Sequence, residues 1–299
     1  MFLLDAIGNT PIIKIHGDVD ILLKLEGTNL FGSVKDRAAA YIIEKGFEDG
    51  SINIHTEIVE SSSGNFAIAL AGVCKMKHMK FTCVIDPLIS EVNRKILDIF
   101  GANVIIAETP DECGSYVKER IRIVKQIIQS DANMFWPNQY NSPMICEAYE
   151  RTIGAEIANL GPIDYVFVAT STCGTIAGIS KAVKKIHSGA CIIAVDVEGS
   201  KIFSDNCNVK KITGVGASFI PENLDRAIVD DYVIVKTKDC IQGCKELLEY
   251  GIFAGGSSGA VYSAIKSYSF INKIKNKIVV GVLPDRGERY MDTIYASDE

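Results

Sequence analysis

Residues 56–77 read Thr-Glu-Ile-Val-Glu-Ser-Ser-Ser-Gly-Asn-Phe-Ala-Ile-Ala-Leu-Ala-Gly-Val-Cys-Lys-Met-Lys. A β-branched run over 56–60 passes through a Ser/Gly turn into an apolar run with helical spacing over 65–77. The same order recurs in the turns Thr170-Ser171-Thr172-Cys173-Gly174-Thr175 and Gly255-Gly256-Ser257-Ser258-Gly259. Because strands that lead directly into helices are the repeating unit of α/β proteins, this pattern predicts mostly parallel sheets flanked by helices.

The alternation extends along nearly the whole chain. It predicts strands at 12–15, 21–25, 56–60, 81–86, 103–107, 163–169, 191–197, 231–236 and 277–283. It predicts helices at 37–48, 65–77, 91–100, 115–130, 147–159, 174–186, 239–250 and 258–268. No Gly/Ser/Pro linker divides the chain, so we place any domain boundary near 137–146, around Pro137 and Pro143.

Composition excludes several classes of protein. The chain has 299 residues, 47% of them hydrophobic and 23% charged, which is typical of a folded globular protein and not of a disordered or fibrous one. Its net charge of -6, without a cluster of Lys and Arg, argues against a nucleic-acid partner, so small-molecule partners are favoured. No run approaches the ~20 apolar residues that a membrane span needs.

Cysteine usage and the first residues of the chain predict the cellular compartment of the protein. The nine cysteines form no Cys-x-x-Cys pair, and the sequence from Met1 to Asp5 lacks the basic region of a secretory signal. We therefore expect reduced thiols and a cytoplasmic protein. Cys240 and Cys244 share an apolar helical face with no histidine nearby, so they are predicted core residues, and no metal site is expected.

The Ser/Gly turns also predict anion binding. Each leaves backbone N–H groups free at a helix N-terminus, beside hydroxyls and glycines, an arrangement that suits phosphates and carboxylates. One such turn is usually plain helix capping, but its recurrence in one α/β chain favours ligand sites. Nucleotide motifs are missing, since there is no Walker A sequence and Gly214-Val215-Gly216-Ala217 lacks the third glycine of the dinucleotide fingerprint.

A lysine adds covalent chemistry to these turns. Lys35 opens an Ala-rich helical run within Asn29–Ala40. The positive helix end and burial both lower a lysine pKa, which increases the free amine that attacks an aldehyde. The alternative is an ordinary exposed lysine at a helix start; the neighbouring anion-binding turns favour the reactive amine.

Ordered motifs make the chain resemble the fold-type II pyridoxal-phosphate enzymes of the cysteine synthase and cystathionine β-synthase family. They are Ile7-Gly8-Asn9-Thr10-Pro11, Gly32-Ser33-Val34-Lys35-Asp36-Arg37, Ser62-Ser63-Gly64-Asn65, Gly214-Val215-Gly216-Ala217, Gly256-Ser257-Ser258-Gly259 and Pro284-Asp285. The resemblance implies a homodimer with a two-domain fold like that of the tryptophan synthase β subunit. It implies a smaller, mobile domain over 41–140 with the substrate loop, a larger cofactor domain over 1–40 and 141–299, and an active site between them.

The resemblance also implies residue roles. Lys35 binds the pyridoxal 5′-phosphate covalently, Asn65 contacts its 3′-oxygen and Ser257 faces its pyridine nitrogen. The turn that holds the 5′-phosphate consists of Ser171, Thr172, Cys173, Gly174 and Thr175. The substrate α-carboxylate is bound by Ser62, Ser63 and Asn65, with Gln139 as a helper. Because a hydroxyl does not protonate the ring nitrogen as a carboxylate would, the cofactor is expected to favour prompt loss of a β-substituent, with Lys35 removing the Cα proton.

Within the family, the chain resembles most a subgroup that makes N-(2-amino-2-carboxyethyl)-L-glutamate. That subgroup uses O-phospho-L-serine and L-glutamate, through an α-aminoacrylate intermediate, on the route to 2,3-diaminopropionate for siderophores. The matching stretches are Glu60–Asn65, Thr82–Pro87, Trp136–Tyr140, Ser171–Thr175 and Pro284–Gly287. Two positions differ from the family pattern: Leu30-Phe31 stands where Pro-Gly is usual, and Phe66 replaces a small or hydroxylated residue.

The choice of second substrate depends on charge. Glutamate and phosphoserine require cations and hydroxyls that sulfide does not. Arg120 lies at the edge of its helix's apolar face, Tyr140 follows Gln139, and Arg286 lies in the Pro-Asp motif, so these three are candidate substrate contacts. Arg120 has an alternative interpretation as a flanking arginine whose stem covers the core.

Other functions stay open at this point. A cysteine synthase would use sulfide with O-acetylserine or O-phosphoserine. A regulator that binds the cofactor without catalysis, a threonine deaminase and a serine racemase are less favoured by the motifs. None of the histidines at 16, 55, 78 and 187 falls in a motif, so no catalytic histidine is expected.

Overall fold

The computed structural model describes residues 3–17, 19–112, 114–204 and 212–296. Its strands are β1 (Ile12–Ile15), β2 (Asp20–Leu25), β3 (Glu57–Ser61), β4 (Phe81–Ile85), β5 (Asn103–Ile106), β6 (Met134–Phe135), β7 (Tyr165–Ala169), β8 (Cys191–Val197), β9 (Asp231–Val235) and β10 (Ile278–Leu283). Its α-helices are α1 (Lys35–Asp49), α2 (Asn65–Met76), α3 (Glu91–Phe100), α4 (Val117–Ser130), α5 (Pro143–Tyr149), α6 (Ala155–Ala158), α7 (Gly174–Ile186), α8 (Thr237–Glu249) and α9 (Gly256–Ile271). The α/β prediction is confirmed.

The strands form two sheets. A six-stranded sheet has the order β1-β2-β10-β7-β8-β9, and only its β1–β2 pair is antiparallel among the described strands. A four-stranded sheet has the order β5-β4-β3-β6 with parallel pairs throughout. The smaller sheet lies within the range 41–140 that the sequence assigns to a smaller domain; the domain boundaries themselves stay a prediction.

The sequence missed one strand and displaced one helix. β6 consists of only Met134 and Phe135, which is too short to produce a visible alternation. The helix predicted at 147–159 begins earlier, because Pro143 occupies the first turn of α5, where its missing N–H costs nothing. A π-helical segment, Glu150–Gly154, then separates α5 from α6.

Local sequence explains several helix ends. Ser90 caps α3 by accepting a hydrogen bond from the backbone N–H of Asn93 at 3.2 Å. Gly101 ends the same helix in the left-handed conformation that glycine adopts without steric cost. α2 has no polar face, since every residue from Phe66 to Cys74 is buried. Such a helix lies inside the protein.

Phe31, one of the two differences from the family pattern, has a packing role. An added Cβ on Gly72 in α2 would lie 2.3 Å from the Phe31 ring, so the ring occupies the space that this glycine leaves. The Phe31 ring also meets Phe100 edge to face, with the centroids 5.7 Å apart. Among the described residues, no helix is long and apolar enough to cross a membrane.

Candidate functional site

A cavity of about 670 Å³ lies where α1, α2, α7 and α9 begin. Nearly all of the predicted site residues line it: Lys35, Ser62, Ser63, Asn65, Arg120, Gln139, Tyr140, Ser171, Thr172, Cys173, Thr175 and Ser257. These residues come from turns that are far apart in the chain, so the fold brings several helix N-termini to one place. A volume of this size is typical of a small-molecule site.

Lys35 is the first residue of α1 and contributes an amine to the cavity. Burial lowers its pKa to about 8, although nearby Cys173 and Asp285 act in the opposite direction. Its Nζ atom lies 5.7 Å from the centroid of the buried Tyr149 ring. A much larger fraction of this amine is therefore unprotonated near neutral pH than for an exposed lysine.

The Ser171–Thr175 turn joins β7 to α7 and presents hydroxyls to the cavity. Cys173 is the N-cap of α7 and has a φ of 60°, a left-handed conformation that favours glycine. Gly174 is absent from the lining: an added Cβ would lie 2.4 Å from Ile145 Cγ2, so this glycine permits α7 to pack against α5. The first N–H groups of α7 have no partner within the helix, so the turn presents donors that suit an anion.

The Ser62–Asn65 loop follows β3 and opens α2. The Asn65 side chain is held at both ends, because its Nδ2 atom donates to Asp285 Oδ2 at 2.6 Å and Arg289 donates to its Oδ1 atom. Ser63 Oγ donates to Asp86 Oδ2 at 2.9 Å. Gln139 donates from Nε2 to the backbone oxygen of Ser61 at 2.9 Å, so it supports this loop from behind.

Arg120 reaches the same end of the cavity from α4. Its Nη1 atom donates to Ser63 Oγ at 2.7 Å and lies 3.0 Å from Asp86 Oδ2. The residue is 5% exposed, and its Nε atom has no hydrogen-bond partner among the described residues. Tyr140 lines the cavity too, and burial raises the pKa of its hydroxyl. The sequence placed Arg120 at the edge of an apolar face, and the side chain is in fact buried.

The structure does not bring Arg286 to the cavity. Its side chain is exposed, packs over Gly27 and lies 3.6 Å from Glu288. A 3-10 turn over Gly287–Tyr290 instead directs Arg289 and Tyr290 into the lining. Arg286 is therefore not in the cavity lining, and its predicted contact with a substrate has no support from its position.

Sequence reasoning missed Asp285, Arg289 and Tyr290 as parts of this site. Asp285 is 2% exposed, and burial raises its pKa while hydrogen bonds from Tyr290 and Asn65 oppose that shift. Burial and the Asp285 carboxyl raise the pKa of Tyr290, so its hydroxyl stays a donor. The signal was present in the Pro284-Asp285 motif, but spacing alone did not indicate which side chains turn inward.

Comparisons with known proteins fit this geometry. A family model described as "Pyridoxal-phosphate dependent enzyme" matches residues 3–285. The O-acetylserine dependent cystathionine β-synthase of Helicobacter pylori is 29% identical, with 98% of this chain and 97% of that chain covered and a TM-score of 0.89. O-ureido-L-serine synthase is 27% identical, with 99% and 95% covered and a TM-score of 0.91. The cysteine synthase of Entamoeba histolytica is 30% identical, with 99% and 91% covered and a TM-score of 0.89.

The lining residues fit pyridoxal phosphate. The N-terminus of α7 with its hydroxyls suits a phosphate, and the Lys35 amine suits an aldehyde. Gly214 has a φ of 86°, and an added Cβ there would lie 3.8 Å from Ser257 Oγ and 3.4 Å from the Tyr290 hydroxyl. The absence of a side chain at Gly214 keeps the space in front of Ser257 open for a flat ring.

Proposed function

Because the chain belongs to the pyridoxal-phosphate dependent enzyme family, we propose that it joins O-phospho-L-serine and L-glutamate into N-(2-amino-2-carboxyethyl)-L-glutamate. The protein is a pyridoxal-phosphate dependent β-replacement enzyme of the cysteine synthase type. When bound, the cofactor supplies the electron sink that permits loss of a β-substituent. The product would serve 2,3-diaminopropionate formation, a siderophore-type route.

The cavity residues have separate proposed roles in binding the cofactor, moving a proton and binding the substrate. Lys35 would hold the cofactor and, once released by the substrate amine, move the proton at the substrate Cα. The Ser171–Thr175 turn would hold the phosphate, while Asn65 and Ser257 would contact the ring. The loop of Ser62, Ser63 and Asn65, supported by Gln139, would hold the substrate carboxylate.

Arg120 is the observation that carries the choice of substrates. It is a buried cation in the cavity wall, and its charge is balanced by Asp86 on one side while Nε has no partner among the described residues. A cation in the cavity wall attracts the phosphate and carboxylate groups of a ligand, whereas sulfide needs no group of this kind. Tyr140 lines the same cavity as a second donor.

The test pairs each serine ester with each nucleophile. Purified holoenzyme receives O-phosphoserine or O-acetylserine with glutamate or sulfide, and mass spectrometry identifies the products. We expect the glutamate adduct from O-phosphoserine. Arg120→Gln should lower its formation by roughly 10-fold to 100-fold, the cost of losing a charged hydrogen bond, whereas Lys118→Gln on the exposed face of α4 should not. Ready formation of cysteine without any glutamate adduct would refute the proposal.

A cysteine synthase is the second candidate. The printed names of two similar structures support it, since one is O-acetylserine dependent and the other is a cysteine synthase. The same product analysis separates the two candidates. Either enzyme would be a cytoplasmic homodimer acting on small amino acids, a proposal that rests on the family resemblance and the pattern of cysteines.

A further inference from the structure

The carboxyl group of Asp285 contacts two residues that are proposed to hold the cofactor ring. Asp285 follows β10 in the chain, and the residue is 2% exposed. Asn65 Nδ2 donates to its Oδ2 atom at 2.6 Å, and the Tyr290 hydroxyl donates to the same oxygen. Ser257 Oγ lies 3.4 Å from the other oxygen, Oδ1. One buried side chain therefore bridges the start of α2 and the start of α9.

The backbone beside Asp285 fixes two helix starts as well. Val34, directly before Lys35, donates its N–H to the oxygen of Pro284 at 2.8 Å. Gly255, directly before α9, donates its N–H to the oxygen of Asp285 at 3.1 Å. The segment thus connects the lysine-bearing end of α1 with the Ser257-bearing end of α9, while its carboxyl group reaches Asn65.

The shape of the site leaves little freedom for this carboxyl group. An added Cβ on Gly255 would lie 2.3 Å from Asp285 Oδ1, so the carboxyl group packs directly against that glycine. Arg289 donates to Asn65 Oδ1 and to the oxygen of Phe31, which fixes the orientation of the Asn65 amide. An amide nitrogen has two N–H groups, and Asp285 accepts one of them.

We infer that Asp285 is a positioning residue, whose carboxylate orients the Asn65 amide and fixes the position of the Ser257 side chain beside the bound cofactor. This inference rests on the cofactor contacts proposed above for Asn65 and Ser257. A carboxylate only accepts hydrogen bonds, so it constrains both neighbours to donate to it. A carboxamide of the same size can also donate, which would release that constraint while preserving the packing.

Asp285→Asn is the variant that tests this role. The apoprotein is titrated with pyridoxal phosphate, and three quantities are measured: the dissociation constant, the absorption spectrum of the bound cofactor, and thermal unfolding of the apoprotein. We expect about tenfold weaker binding and a displaced absorption band, because Ser257 and Asn65 lose their fixed orientation. Unfolding of the apoprotein reports any general structural damage separately.

A double-mutant cycle with Ser257→Ala distinguishes positioning from structural support. If Asp285 acts through Ser257 and Asn65, the effect of Asp285→Asn on affinity and spectrum is clearly smaller in the Ser257→Ala background. Full additivity, or wild-type affinity and spectrum for Asp285→Asn, overturns the inference. Wild-type behaviour of Ser257→Ala and Asn65→Ala themselves would instead overturn the proposed cofactor contacts.

Tyr290→Phe keeps the inference testable if Asp285→Asn does not fold. It removes one donor to the carboxylate and retains the ring that fills the space beside Gly255. We expect the absorption band to move in the same direction, with a few-fold loss of affinity that is not additive with Ser257→Ala. A wild-type spectrum and affinity would count against the role of the network.

Discussion

Lys35 shows at the residue scale how the fold changes the chemistry of a side chain. Burial lowers its pKa from 10.5 to about 8. The free amine is the form that captures an aldehyde, so its fraction rises as the pH increases through about 8. The sequence predicted the direction of this shift from the helix start, but its size depends on how closely the surrounding elements bury the amine.

We therefore expect capture of pyridoxal phosphate by the apoprotein, trapped with borohydride, to increase with pH about a midpoint near pH 8. The stability of the apoprotein relative to that of Lys35→Ala should also rise from about pH 8 to about pH 10.5, because in that window the lysine stays protonated only in the unfolded chain. Peptide mapping measures the labelled residue, and Lys35→Ala is the control. A midpoint near 10.5, or label at another lysine, would contradict this prediction.

Site residues in recognisable sequence motifs could be predicted, whereas residues positioned by an unpredicted turn could not. Ser62, Asn65 and Ser257 are in turns whose order along the chain indicates their position, and the structure places all three in one cavity. The sequence indicated Arg286 as a cavity residue and did not indicate Arg289. The 3-10 turn over Gly287–Tyr290 determines which of these two arginines lines the cavity. Sequence spacing does not specify that turn.

At the scale of elements, glycines set the approach of α7 to α5 and the π-helical segment. An added Cβ on Gly178 would lie 2.5 Å from the backbone nitrogen of Glu150, and one on Gly154 would lie 2.8 Å from Ala182 Cβ. Backbone atoms do not move aside as a flexible side chain can. This contact lies at the π-helical turn Glu150–Gly154 inside an otherwise continuous helix, and a hydrophobic pattern does not encode such a turn.

Gly178→Ala should consequently destabilise the protein by about 2 kcal/mol, the usual cost of overpacking a tight interface. It should also weaken cofactor binding, because α7 carries the phosphate turn at its start. Gly189→Ala is the matched control, since nothing lies within 4 Å of an added Cβ there. Urea unfolding of both apoproteins measures the difference, and equal midpoints would contradict the packing argument.

At the scale of the whole molecule, a buried ion cluster joins the N-terminal segment to distant helices. Arg37 donates to Glu26 Oε1 at 2.8 Å and to Glu156 Oε2 at 2.9 Å, and Lys24 Nζ lies 2.7 Å from the same Glu156 oxygen. These residues lie on β2, the following 3-10 turn, α1 and α6. Arg37 and Glu26 are 1% and 0% exposed, so removing one partner leaves an uncompensated buried charge. The pattern of charges in the sequence gave no indication of this long-range cluster.

The cluster predicts how the whole fold responds to acid. Burial raises the pKa of Glu156, but Arg37 and Lys24 outweigh it and hold the pKa at about 2, below the usual 4.5. The stabilisation from this carboxylate is therefore complete above about pH 4.5 and is lost as the pH falls toward 2.

Glu156→Gln should destabilise the protein at pH 7 and flatten the acid limb of its stability curve. Glu119→Gln, which removes an exposed ion pair on α4, should leave that limb unchanged. Urea unfolding from pH 7 to pH 3 measures both variants, and parallel acid limbs for Glu156→Gln and the wild type would show that the cluster does not link stability to pH.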